Sequence, residues 1–131
     1  MKTIPQKFKE TAEKFSKKPA LKFKYHDAYI SISFFELQKQ VDILARGLAK
    51  LGLKARDRLA IFSENRTEWV RADLATLTLG AASVPIHTTV SPVIIKHILN
   101  DSKARVILVS RQDYFNKLML VIDELPDLET I

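Results

Sequence analysis

An alternation that begins at Arg58 and runs to the end of the chain limits the fold more than any other feature. Three short apolar runs, RLAIFS (58–63), SVPI (83–86) and RVILVS (105–110), are separated by segments of helical periodicity. LETI, at the end, begins a fourth such run. Strands that alternate with helices build a mostly parallel sheet with helices on both faces. The crossovers of such a sheet are right-handed. RVILVS holds a continuous apolar run, VILV, the pattern of a strand buried on both faces. Pro85 removes a ladder hydrogen bond from SVPI, which places that strand at an edge or makes it irregular.

The connecting segments read as helices. Residues 66–79 are apolar on most faces, with Trp69, Val70, Ala72, Leu74, Ala75, Leu77 and Leu79, and a helix of that kind is buried. Asn65 and Glu68 have the spacing of an N-cap and its N3 partner. Ser91-Pro92 starts the next helix, with Ile94, Ile95, Ile98 and Leu99 facing inward. A last helix runs over 112–124 and closes at Pro126.

Upstream, Thr3 followed by Pro5 marks a helix start. Ile4, Phe8, Ala12 and Phe15 form a narrow apolar stripe on that helix, which ends before Pro19. ALKFKY (20–25) and YISIS (29–33) alternate apolar and polar residues, the period of half-exposed strands. With HDA (26–28) between them they form a hairpin with a three-residue loop. Ser33 and Glu36 then make a capping box. The helix they open carries Phe34, Leu37, Val41, Leu44, Leu48 and Leu51 at steps of three and four, and Gly52 stops it. The repeat lasts fewer than three heptads, so this helix packs on a domain rather than in a coiled coil. The chain therefore divides into a basic helix and hairpin (1–33), a long amphipathic helix with its connection (34–57), and a partial α/β parallel-sheet unit (58–131).

Charge is unevenly placed. The net charge is +6. Residues 1–24 hold eight lysines against Glu10 and Glu13, while the rest of the chain has 13 basic and 13 acidic side chains. The whole excess sits in the first segment. Its plain reading is a solvated, lysine-rich helix at a domain edge. Such a segment also attracts anionic membranes. The apolar stripe is narrower than that of a helix lying in a membrane surface, which favours docking on the domain. The interleaved phenylalanines fit packing better than base stacking, and no nucleic-acid partner is expected. The absence of cysteine excludes disulfides, a thiolate nucleophile and thiolate zinc sites. No apolar run approaches the roughly 20 residues of a membrane span.

Open α/β sheets bind ligands beyond the carboxyl ends of their strands. Ser63-Glu64-Asn65 at the first end is explained by helix capping. His87-Thr88-Thr89 follows the second. Ser110-Arg111 follows the third, where a cation at a helix N-terminus opposes the helix dipole. An anionic ligand shared by that helix end and Arg111 would account for it. A histidine such as His87 is a candidate general base, but it has no nucleophile or carboxylate beside it in sequence. His26 lies in the hairpin tip and His97 at a helix boundary, and the histidine spacings match no metal-binding motif. Asp73, inside an apolar helix, needs a hydrogen-bonding or charged partner, for instance an arginine.

In order and spacing, ELQKQVDILARGLAKLG, DRLAIFSENRTEW, ADLATLTLGAASVPIHTT, SP and ILNDSKARVILV resemble the opening of the adenylate-forming acyl-CoA synthetases. The likeness is nearest to the long-chain fatty-acid–CoA ligases and spans about residues 19–110. The resemblance implies the incomplete N-terminal domain of that α/β fold. It also implies a parent enzyme that activates a fatty acid with ATP and Mg²⁺ and passes the acyl group to CoA. In that family the phosphate loop lies downstream of these motifs, which fits its absence here. The chain alone is then expected to be inactive and to bind none of ATP, Mg²⁺ or CoA tightly. Its expected partners are the remainder of the ligase, a second copy in a homodimer, and an anionic membrane touched by residues 1–24. Localisation is expected to be cytoplasmic or peripheral at the membrane. The family likeness places His87, Thr88, Thr89 and Arg111 near the nucleotide end of CoA, although relatives have arginine or glycines in the loop. It assigns no catalytic or metal-binding residue. The alternative is a non-catalytic interaction or dimerisation module of the same fold.

Overall fold

The computed structural model describes residues 1–131. Helix α1 (Ile4–Lys14) leads into strands β1 (Pro19–Tyr25) and β2 (Ala28–Ser33), then α2 (Phe34–Lys50). There follow β3 (Arg58–Phe62), α3 (Thr67–Thr78), β4 (Ala82–Ile86), α4 (Pro92–Ser102), β5 (Val106–Val109) and α5 (Gln112–Met119). A 3₁₀ turn, Ile122–Glu124, completes the order. None of the helices is long and apolar enough to cross a membrane.

β1 and β2 form an antiparallel hairpin, and the other three strands form a parallel sheet in the order β4-β3-β5. This is the α/β arrangement expected, with Pro85 on an edge strand, opposite Ile61. The hairpin loop has two residues, His26 and Asp27, rather than three. His26 supplies the positive φ (51°) that so tight a turn requires.

The strand buried on both faces is β3, not β5. Leu59, Ala60, Ile61 and Phe62 are each 0–1% exposed. Their alternation feeds two cores. Leu59 and Ile61 join Leu37, Val41, Leu48 and Ala75 under α2 and α3. Ala60 and Phe62 join Ile95, Leu99, Tyr114 and Leu118 under α4 and α5. In β5 only Val106 and Ile107 are buried, and Leu108 and Val109 are half-buried. The cause is the outer edge, where the expected fourth strand is a single parallel bridge between Val106 and Thr130.

Helix ends follow local chemistry. The Ser33–Glu36 capping box forms, with the Ser33 amide donating to the Glu36 carboxylate at 2.8 Å and the Glu36 amide to Ser33 Oγ at 3.2 Å. Thr3 makes a second box with Gln6. Gly52, at φ 90°, ends α2 as expected. The cap proposed at Asn65 does not form. α3 starts one residue later, with Arg66 extended at the cap position and no side chain bonded there. Helix α3 is less enclosed than its composition suggests: Ala72, Ala75 and Thr76 are buried, and its larger apolar residues are half-buried. Ile94 is 44% exposed rather than facing the core. The last helix stops at Met119 and gives way to the 3₁₀ turn.

Candidate functional site

All three parallel strands deliver their carboxyl ends to one edge of the sheet, since β3 pairs in parallel with both neighbours. The polar groups expected to matter sit just beyond that edge.

Between the ends of β3 and β5 lies a cavity of about 250 Å³, floored by Ile61, Ala72 and Leu108 and rimmed by Arg66, Glu68 and Ser110. Its rim is a chain of alternating charges. Arg66 Nε donates to Glu68 Oε2 at 2.9 Å, and Arg66 Nη1 lies 3.6 Å from Glu64 Oε1. Arg71 closes the chain at 3.1 Å from Glu68 Oε1. The Ser110 hydroxyl donates to the Glu64 carboxylate and so links β5 to the segment after β3. That hydrogen bond, with the backbone and then Arg66 and Arg111, holds the Glu64 carboxyl below its ordinary range. Glu68 is lowered to about 2, chiefly by the Arg66 hydrogen bond. Neither carboxylate is therefore poised to accept or return a proton near neutral pH. Of Ser63, Glu64 and Asn65, read in sequence as a helix cap, Glu64 instead joins this strand-end network and Ser63 lines the cavity.

The Glu68 shift gives a testable pH dependence. Its carboxyl is more acidic folded than unfolded, so its contribution is complete above pH 4.5 and disappears as pH falls through about 2. The side chain is 53% exposed, and solvent screening keeps the contribution within about 1 kcal/mol. Urea midpoints measured from pH 5 to pH 2 should fall less steeply for Glu68→Gln than for the parent chain. Parallel curves would refute the assignment.

At the end of β4, the Thr89 amide donates to His87 Nδ1 at 3.4 Å, with Thr89 Oγ1 2.9 Å from the same nitrogen. Both contacts meet at Nδ1 and leave Nε2 without a protein partner. His87 and Thr89 are exposed, and Thr88 is half-buried. The Thr88 carbonyl accepts from Lys117 Nζ at 3.4 Å. Lys117 escaped the sequence reading because its partner lies 29 residues away.

Arg111 occupies the cap position of α5. The sequence offers only a weak packing reason for a cation beside a helix N-terminus, and the structure gives it two local contacts. Arg111 Nε donates to Asp113 Oδ1 at 2.9 Å, and the guanidinium lies 5.4 Å from the centre of the Tyr114 ring. Asp113 raises the Arg111 pKa above its already high value and is itself held low by Arg111. An anionic ligand at this helix end would therefore share Arg111 with Asp113. The hydrogen-bond network ties the 87–89 loop to Lys117 rather than to Arg111. Asp73 pairs with the Ser83 hydroxyl, not with an arginine. No group of three or more His, Cys, Asp or Glu is arranged to hold a metal ion.

The AMP-binding enzyme family matches residues 8–130. Two curated relatives are the long-chain-fatty-acid–CoA ligases ACSBG2 of Xenopus laevis and ACSBG1 of Rattus norvegicus, 33% and 32% identical over 129 residues. Each alignment covers 98% of this chain and 18% of the relative, so the chain spans about a fifth of their length. Among solved structures, the inhibitor-bound N-terminal domain of FACL13 from Mycobacterium tuberculosis superposes with a TM-score of 0.85 at 21% identity. That match covers 99% of this chain and 33% of the other. The anthranilate CoA ligase AuaEII, solved with anthranoyl-AMP, gives 0.83 at 24% identity, covering 95% and 24%. These likenesses establish a shared fold.

Proposed function

The chain belongs to the AMP-binding enzyme family, and from that premise we propose that it forms the first part of an ATP-dependent long-chain fatty acid–CoA ligase. The observation that carries the reading is the 33% identity to a ligase of that kind along 98% of the chain. Its physical setting agrees: a parallel sheet whose strand ends gather polar groups on one edge. The division into 1–33, 34–57 and 58–131 is retained as part of the proposal.

In such an enzyme, ATP with Mg²⁺ supplies an activated phosphoryl centre and CoA supplies a thiol. This chain contributes scaffold and electrostatics. The charge chain Glu64–Arg66–Glu68–Arg71 fixes the segment after β3 with its carboxylates ionised and engaged. No ligand of ATP or Mg²⁺ is assigned to it. His87, Thr88, Thr89 and Arg111 are assigned to the nucleotide end of CoA. Their side chains are all hydrogen-bond donors, the set that suits phosphate oxygens. Lys117 holds the 87–89 loop against α5.

ATP–pyrophosphate exchange with a long-chain fatty acid tests the first part. The isolated chain should give no turnover above background, and clear exchange would overturn its assignment as a scaffold that requires the rest of the ligase. Backbone amide shifts under millimolar CoA test the second. Perturbations should centre on residues 87–89 and 111 and shrink in Arg111→Ala. A response centred elsewhere would remove these four residues from the proposal.

A further inference from the structure

We propose that the trough between α1, α2 and the end of α3 is a docking groove for an acidic amphipathic helix of a partner protein. The inference rests on shape and charge and does not depend on the ligase reading.

The three helices pack on one another pairwise and leave the trough between them. One stretch, of about 460 Å³, lies between the start of α1 and α2 and is lined by Pro5, Phe8, Gln38 and Leu77. The next, of about 440 Å³, lies between α2 and the end of α3 and is lined by Ala45, Ala49 and Leu79. Asp42 and Thr78 belong to both stretches, so the two are continuous. From Gln38 to Ala49 the trough follows α2 for about 17 Å, or three helical turns. Ala45 and Ala49 stand one turn apart, and side chains that small let a second helix approach closely. This is the form of a groove that takes the apolar face of a helix.

The polar groups say which kind of helix. Lys9 on α1 and Arg46 on α2 line the trough, and both are exposed. Neither belongs to an ion pair. Arg46 Nε donates to the Asp42 carbonyl at 3.2 Å, which holds the guanidinium beside the trough. Asp42 is the only carboxylate in the lining, so the trough keeps a net positive charge. That carboxylate already accepts from Gln38 Nε2 at 2.8 Å. On α1, Glu10 is held by Lys2 at 2.6 Å, and Glu13, a turn beyond Lys9, lies outside the lining. Two cations without counter-charge call for carboxylates on the visiting helix. Gln38 gives a second, independent signal. Its Oε1 is buried and has no hydrogen-bond partner. Buried acceptors are nearly always paired, and a donor side chain on a docked helix would pair this one.

Other occupants fit less well. A bilayer presents a broad surface and cannot follow a concave channel between three helices. A second copy has no free helix of the required kind. In this chain α1 and α2 each carry more cations than anions, and α4 and α5 are balanced. Helix α3 has an acidic excess, but its apolar residues are packed into the core beneath α2. The trough opens at the foot of the sheet, where the Gly80 carbonyl accepts the Arg56 amide at 2.9 Å just ahead of β3. That edge is opposite the strand ends of the candidate site, so a docked helix leaves the site uncovered.

Backbone amide shifts of the whole chain test the proposal. The probes are capped synthetic helices of about 14 residues, with alanine, leucine or methionine along one face and glutamates flanking it. Shifts should centre on residues 38–49 and 77–80 at about 50 mM salt and weaken at about 500 mM. Ala49→Glu fills the groove and repels the visiting helix, and should lose at least about tenfold in affinity. The pair Lys9→Gln and Arg46→Gln should lose as much and flatten the salt dependence. All three positions are exposed, and circular dichroism of each variant checks the fold. Permuting a peptide so that its apolar residues no longer share a face should abolish binding at constant charge. No shift in the trough from any helix of the set, equal binding by the permuted peptides, or indifference to Ala49→Glu would overturn the proposal. So would trough shifts from vesicles of phosphatidylcholine with about 30% phosphatidylserine and from none of the peptides, which would give this surface to lipid.

Discussion

Phe62→Ala should lower the unfolding free energy by about 3–5 kcal/mol, read as a fall in the urea midpoint without a large change in slope. The residue is 0% exposed. Its ring stacks on Tyr114 with centres 4.8 Å apart and an interplanar angle of 28°. Truncation removes the buried apolar surface, the aromatic contact and the support under α5 together. The surroundings are poorly placed to collapse, because Phe62 lies on the central strand and is fixed by ladder partners on both sides, Ile86 and Val109. Stabilities of small domains are commonly 5–15 kcal/mol, so the variant should be close to its unfolding threshold at room temperature. A loss under about 1 kcal/mol would show that the layer formed by α4 and α5 is not a packed core.

Leu48→Ala should cost about 2–5 kcal/mol for a different reason. Leu48, 1% exposed, projects from α2 into the other core, on the opposite face of the sheet. It touches none of the side chains that surround Phe62. Energies of well-separated substitutions add within about 0.5 kcal/mol. The two alanine changes combined would leave too little stability to measure, so the gentler pair Leu48→Val and Phe62→Leu is the usable double variant. Its destabilisation should equal the sum of the singles. A coupling above about 1 kcal/mol would mean that the strand between the cores transmits strain, and the two layers would then count as one unit.

The sequence predicted elements better than neighbours. Periodicity located every strand of the parallel sheet to within one or two residues, because the 2-residue and 3.6-residue patterns are local. Capping at Ser33 was legible for the same reason. Strand order was not: RLAIFS and RVILVS are equally apolar, and polarity cannot say which lies in the middle. The Asn65–Glu68 spacing misled because Glu68 is drawn to Arg66 and Arg71, leaving the cap without its partner. Arg105 marks the limit of local reading. It pairs with Asp57 at 2.7 Å and with Glu129 at 2.6 Å, and also donates to the Gly52 carbonyl. No short motif announces a contact between residues 53 apart. At the candidate site, the strand ends marked the right edge of the sheet, and Asp113, two residues after Arg111, was within reach of a local reading, but Lys117, which sets the surroundings of Thr88, entered only through three-dimensional packing.

Because β3 is apolar on both faces, wetting cannot choose its alignment. A shift by one residue would exchange two greasy sets rather than expose one, removing the usual safeguard against slippage. Two other devices remain. One is volume, since small Ala60 and bulky Phe62 face the same layer and cannot trade places with Leu59 and Ile61 without leaving a gap or a clash. The other is Arg58, whose guanidinium reaches the carbonyls of Ser102 and Lys103 at the close of α4. That fork works as a peg at the foot of the strand: the sheet's alignment is held from outside its ladder, by a cation that grips the helix next door.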